Sequence, residues 1–215
     1  MMLFPESKST HLDPQLFRNP TATYRGIPFW SWNCTVTEEL IDEQLDIFKA
    51  MGFGGVDIHP RSGLNTPYLS DRYMQLIRYT VDRCKEKGLV CWLYDDDRFP
   101  SGAAAGLVTK DWRFRQRCLL LTEQERPDFF PDQHSFDCAI AAGEKPCGWF
   151  AAAYAVAANS ARRIQSADPL LPGESRRYAY VMLLEPEDWF QGQTYADVMN
   201  PEAIRAFIDM THEYY

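Results

Sequence analysis

The feature that most constrains this chain is a helix-to-strand junction that occurs twice. Lys49-Ala50-Met51-Gly52 precedes a short apolar run at 54–59 (GGVDIH), and Lys85-Glu86-Lys87-Gly88 precedes another at 89–94 (LVCWLY). Lysines favour the negative end of a helix, and a glycine suits the left-handed residue that ends one. Ahead of each junction, apolar residues recur at helical spacing: Leu40, Ile41, Leu45, Phe48 and Met51 in one case, and Tyr73, Leu76, Ile77, Val81 and Cys84 in the other. Thr35-Val36-Thr37-Glu38 fits a capping box for the first helix, and Ser70 caps the second. A further aromatic and apolar run at 27–33 (IPFWSWN) reads as a strand. The order strand, helix, strand, helix, strand predicts a parallel α/β fold. The near-continuous apolar run at 89–94 suits a strand buried on both faces.

Beyond residue 100 the rhythm changes. Residues 100–106 (PSGAAAG) read as a small-residue loop or a short helix. The stretch 115–185 lacks a good helical period. Segments 118–122, 149–157 and 178–184 read as strands between Pro-, Gly- and Asp-rich turns. This predicts a β-rich insertion after the third strand. Asn200 then suits an N-cap and Pro201 the first helical position, with Ile204, Phe207 and Ile208 on one face. The expected organisation is a lead-in over 1–24, the first βα units over 25–110, the insertion over 111–194 and a returning helix over 195–215.

Composition narrows the class of partner. The 215 residues carry 22 Lys+Arg against 30 Asp+Glu, a formal net charge of −8. That argues against a nucleic-acid backbone or an anionic membrane as the main partner. The six cysteines form no C-x-x-C pair, residues 1–10 show no secretory apolar region, and no window approaches 18 apolar residues. Reduced thiols and a cytoplasmic location are expected. There is no phosphate-cradling G-x-x-x-x-G-K loop, no G-x-S-x-G elbow and no H-x-x-x-H pair. Gly52, Gly54 and Gly55 run from helix to strand, the wrong direction for a dinucleotide fingerprint.

In parallel α/β folds, ligands meet the C-terminal ends of the strands. Three polar clusters fall there. The first is Trp32 and Asn33, an aromatic face beside an amide that can hold a polar ligand; Trp32, like Trp30, also suits a core, where large rings fill space. The second is Asp57, His59 and Arg61. Alternation puts Asp57 and His59 on one side of the strand and Val56 and Ile58 on the other, facing the helices. Arg61 reads as a ligand contact or as a loop brace. The third is Asp95, Asp96, Asp97 and Arg98. Adjacent carboxylates repel, so they need a cation, an Arg or a polar ligand; a solvated turn braced by Asp97 and Arg98 is the plainer reading.

The stretches 28–33 (PFWSWN), 52–63 (GFGGVDIHPRSG) and 94–102 (YDDDRFPSG), with 197–201 (DVMNP) leading to Thr211-His212-Glu213-Tyr214, resemble the α-L-rhamnosidase-like glycoside hydrolase family. The resemblance implies a (β/α)₈ catalytic barrel that cleaves a glycosidic bond, often with inversion and sometimes with a bound calcium. It also implies a later strand carrying an Asp-Glu pair, which has no match here. A full barrel takes about 250 residues, so, with the insertion set aside, about three to four of eight units are expected in this chain. The fold expected is therefore a partial TIM (β/α)₈-type barrel with a β-rich insertion, inactive as a fragment. Glycoside cleavage uses paired carboxylates. Asp96 is the candidate from the acidic run. Glu185 becomes a candidate general acid if 178–184 is a barrel strand, although the long stretch before the next helix favours the insertion reading. Two alternatives stand beside the hydrolase. One is a non-catalytic carbohydrate-binding or interaction module, self-associating or completed by another chain because an unfinished sheet leaves an open edge. The other is a barrel hydrolase whose Asp-His cluster binds a metal.

Overall fold

A computed structural model of the chain describes residues 10–188 and 192–215. It divides into two compact units, one of residues 1–101 with 211–215 and one of residues 102–210.

The first unit holds helix α1 (Pro14–Arg18), strand β1 (Phe29–Trp32), helix α2 (Glu38–Ala50), strand β2 (Gly55–Pro60), helix α3 (Asp71–Lys87) and strand β3 (Val90–Leu93). The three strands form a parallel sheet in the order β1-β2-β3, with Phe29 level with Asp57 and Asp57 level with Trp92. Every second side chain faces the helices. Trp30 and Trp32 from β1 and Val56 and Ile58 from β2 join Ile41 and Leu45 of α2 and Tyr73, Leu76 and Ile77 of α3 in one core. Each fully buried aliphatic side chain there contributes about 1.5–3 kcal/mol relative to exposure. Gly55 is required by this sheet, because a Cβ would lie 2.2 Å from the Val90 carbonyl oxygen.

Polar pairs tie α2 to α3. Arg72 grips both oxygens of Glu38 at 2.8 and 2.7 Å, which holds the Glu38 carboxyl down at about 2. Asp42 accepts from Arg83 at 2.6 Å and from Tyr79 at 2.8 Å. Ser70 caps α3 through the Tyr73 amide, and Gly52 and Gly88 adopt positive φ at the helix ends, as their spacing predicts. The capping box lies differently. Thr37, not Thr35, caps α2, accepting from the Leu40 amide at 3.3 Å, while Thr35 accepts from Asn65.

The second unit holds β4 (Arg117–Thr122), α4 (Gln133–Ala141), β5 (Gly148–Ala157), β6 (Ser160–Ile164), β7 (Ser175–Leu183) and α5 (Pro201–Met210). Its strands form an antiparallel sheet in the order β4-β7-β5-β6. One face buries Ala153, Ala155, Tyr178 and Tyr180; at one end, Phe136 of α4 packs with Trp149 and Leu183. The three strands expected beyond residue 115 are present, whereas α4 and β6 are additions. Asn200 caps α5 through the Glu202 amide at 3.0 Å. The face of α5 differs from expectation: Ala203 and Phe207 are buried and Ile204 is exposed. Phe207 packs with Ala104, Val108 and Ala196, so this helix belongs to the second unit and not with the βα units.

The chain is thus a mixed α/β fold with a parallel three-stranded sheet and an antiparallel four-stranded sheet. The described residues form no closed barrel. Among them, no helix is long and apolar enough to cross a membrane.

Candidate functional site

The C-terminal ends of the parallel strands are held level by the backbone. The Arg61 amide donates to the Trp32 carbonyl at 2.9 Å and the Tyr94 amide to the Ile58 carbonyl at 3.0 Å. At this rim His59 bonds Asp57 through Nε2 at 3.2 Å. Its ring lies between two aromatic rings, with Phe29 at 3.7 Å centroid to centroid and Tyr94 at 4.1 Å in a stacked arrangement. Arg61 stands over the Phe29 ring at 5.7 Å. His59 is buried, and its Nδ1 has no partner among the described residues. Burial pushes the His59 pKa down; Asp57 opposes this and Arg61 adds to it. A neutral imidazole at neutral pH follows.

The sequence places Asp57 and His59 together on the face away from the helices, and the structure does the same. It does not bring Trp32 to them. Trp32 is fully buried on the helix side, edge-on to Trp30 and Tyr73. The register puts Phe29 and Ser31 of β1, level with Asp57 and His59, on the face away from the helices. Asn33 is exposed just past β1, beside Gly63, where a Cβ would meet the Asn33 carbonyl oxygen at 2.5 Å.

The three acids after β3 diverge. Asp95 accepts from Ser101 Oγ at 2.6 Å through one oxygen and bonds His212 Nε2 at 2.7 Å through the other. Asp96 is fully buried, and its Oδ1 accepts from the Asp97 amide at 2.7 Å. Asp97 pairs with Arg98, whose Nε lies 3.0 Å away, so these two form the expected local brace. Beside them the hydroxyls of Tyr73, Tyr215 and Tyr68 form a chain at 3.2 and 3.3 Å. Burial raises all three phenol pKa values, and the Asp96 charge adds to the rise at Tyr68 and Tyr215. They stay protonated, as hydrogen-bonding groups.

Chemically this is a rim of aromatic faces, hydroxyls and carboxylates. Asp95 holds Ser101 and His212 on its two oxygens, so the carboxylate is the centre of this group. The set does not fit calcium. The carboxylates face separate partners, and among the described residues no group of three His, Cys, Asp or Glu converges on one point. Nor does the Asp57–His59 pair find a third ligand.

Glu185 is not at a parallel-strand end. It is exposed, two residues after β7 of the antiparallel sheet, in the second unit. Phe29, Tyr94, Ser101 and His212 lie in the stretches that carry the family resemblance but are not among the site residues expected from sequence. Strand alternation read together with the register exposes Phe29; His212 lies 117 residues from Asp95, a pairing that spacing does not reveal. No family model matches the chain, and no curated protein matches it.

Proposed function

We propose that the first unit is the opening part of a TIM (β/α)₈-type barrel of an α-L-rhamnosidase-like glycoside hydrolase, and that its rim holds a carbohydrate. One observation carries this reading. His59, Tyr94 and Asp95 gather at the C-terminal ends of parallel strands, with Asp57 bonded to His59 from within β2, and such folds place ligands at those ends. Aromatic faces suit the C–H faces of a sugar, and Asp57, Asp95 and the tyrosine hydroxyls suit its hydroxyl groups. Of the three acids, Asp95 is the one that meets substrate: Asp96 is fully buried and Asp97 is neutralised by Arg98. Cleavage by inversion needs a second carboxylate about 6.5–9.5 Å from the first. In this reading it comes from a barrel strand other than the three seen here, and the chain alone binds without cleaving.

The test is titration of the chain with L-rhamnose and a panel of glycans, followed by NMR, alongside hydrolysis assays on the product of the complete reading frame. Saturable binding that shifts His59 and Tyr94 signals, weakened about tenfold or more by Asp95→Asn, is expected for the loss of a charged hydrogen-bonding partner. No binding and no hydrolysis across the panel, or an Asp95→Asn variant that binds as well as the parent, would sink the reading. The alternative, an interaction module, is favoured by one observation: Leu119 and Leu121 of β4 stand exposed on the antiparallel sheet.

A further inference from the structure

Strand β4 is an edge of the antiparallel sheet. It pairs with β7 on one side, and among the described residues 118–122 have no strand on the other. Edges of this kind are usually blunted by Lys, Pro or a bulge. β4 (RCLLLT) has none of these, and its register with β7 runs without a break. Two of its leucines are open to solvent, Leu119 at 62% and Leu121 at 61%. They border a groove of about 730 Å³ that also includes Ala152, Tyr154, Val156 and Ala179. Leu120 points the other way, against the buried face.

The strand is complementary to itself in a single register. An antiparallel partner strand centred on Leu120 sets Leu119 opposite Leu121 of the second copy, and Arg117 opposite Glu123 of the second copy. Both pairs occur twice about the two-fold axis, and cross-strand apolar and opposite-charge pairs are the stabilising unit of a sheet. A shift that centres the axis on Leu119 sets Arg117 against a leucine. One that centres it on Leu121 sets Glu123 against a leucine. A one-residue slip sets Leu119 beside Leu120 of the second copy and turns that copy's sheet over, so the two grooves fall on opposite faces. Glu123 is free to take part: its side chain is 74% exposed, and its present partner, Arg177, uses one oxygen at 2.7 Å. Arg117, which within its own chain lies 3.7 Å from Asp197 and over the Trp149 ring, turns to the second copy's Glu123 and shares its carboxylate with Arg177.

We propose that two copies of this chain associate through β4, joining their four-stranded sheets into one of eight strands and merging the two apolar grooves. The occupant of the open edge is a second copy, recognised by backbone pairing, a leucine pair and an arginine-glutamate pair at each end.

The test is sedimentation of the 215-residue chain over a range of micromolar concentrations, together with cross-linking. A reversible dimer is expected, and Leu121→Lys, a change at an exposed side chain, raises its dissociation constant about tenfold or more. The same register puts Thr122 opposite Cys118 of the second copy. Thr122→Cys therefore gives a covalent dimer under a mild disulfide oxidant, and the further change Cys118→Ser abolishes it. A monomer at every concentration would overturn the proposal. So would a dimer indifferent to Leu121→Lys, or Thr122→Cys cross-links that persist without Cys118. A monomer that takes an extended peptide or a glycan into the groove would overturn it as well.

Discussion

At His59, burial and charge act against each other, and burial wins. Its folded pKa lies below the ordinary 6.5, with desolvation first among the causes. The unfolded chain therefore binds the proton more readily than the folded one. Stability from this residue is complete above about pH 6.5 and falls as the pH drops towards the lowered folded value. Melting temperature is expected to decline on acidification through that window, and His59→Asn flattens that part of the profile; an unchanged slope would show that other groups control it. Gly63 gives a second prediction at this scale. Its φ is +100°, and a Cβ would sit 2.5 Å from the Asn33 carbonyl oxygen. Gly63→Ala is expected to cost about 1–3 kcal/mol in denaturant unfolding and to move Asn33 and Arg61 amide signals.

Among the elements, α2 shows which sequence signals carry structure. Thr37→Ala is expected to cost about 0.5–2 kcal/mol, because Thr37 caps the helix, and Thr35→Ala less, because Thr35 does not; chemical denaturation distinguishes them. Leu45, fully buried between helix and sheet, is expected to cost about 2–5 kcal/mol on change to Ala. The parallel unit was legible in the sequence because its helices are long and periodic and its strands apolar, although β3, expected to be buried on both faces, leaves Trp92 and Leu93 exposed. Helix α4 was hidden by its nine residues, of which only Phe136 and Ala139 are buried, and β6 by having four exposed residues in five. The candidate site was legible where one strand sufficed, at Asp57 and His59. It was misread at Trp32, because alternation defines two faces of a strand and only its neighbours decide which one is core. Asp95 was visible as a strand-end acid, but its partner His212 comes from a distant part of the chain.

For the whole molecule, two units with separate cores set the expectation for unfolding. Leu45→Ala is expected to reduce hydrogen-exchange protection across β1 to β3 while amides of β5 and β7 keep theirs; equal loss in both sheets would show one cooperative block. The first unit is also discontinuous. Residues 102–210 intervene before Thr211–Tyr215 returns to supply His212 and Tyr215 to the rim. A ribosome releasing this polypeptide exposes Asp95 and Tyr73 well before the residues that will bond them. Until then the rim has its acids without their imidazole. Closing that gap across an unstructured excursion carries a large ordering cost, which a compact intervening unit reduces. Completion of this rim therefore waits on residues made only after the whole of the second unit.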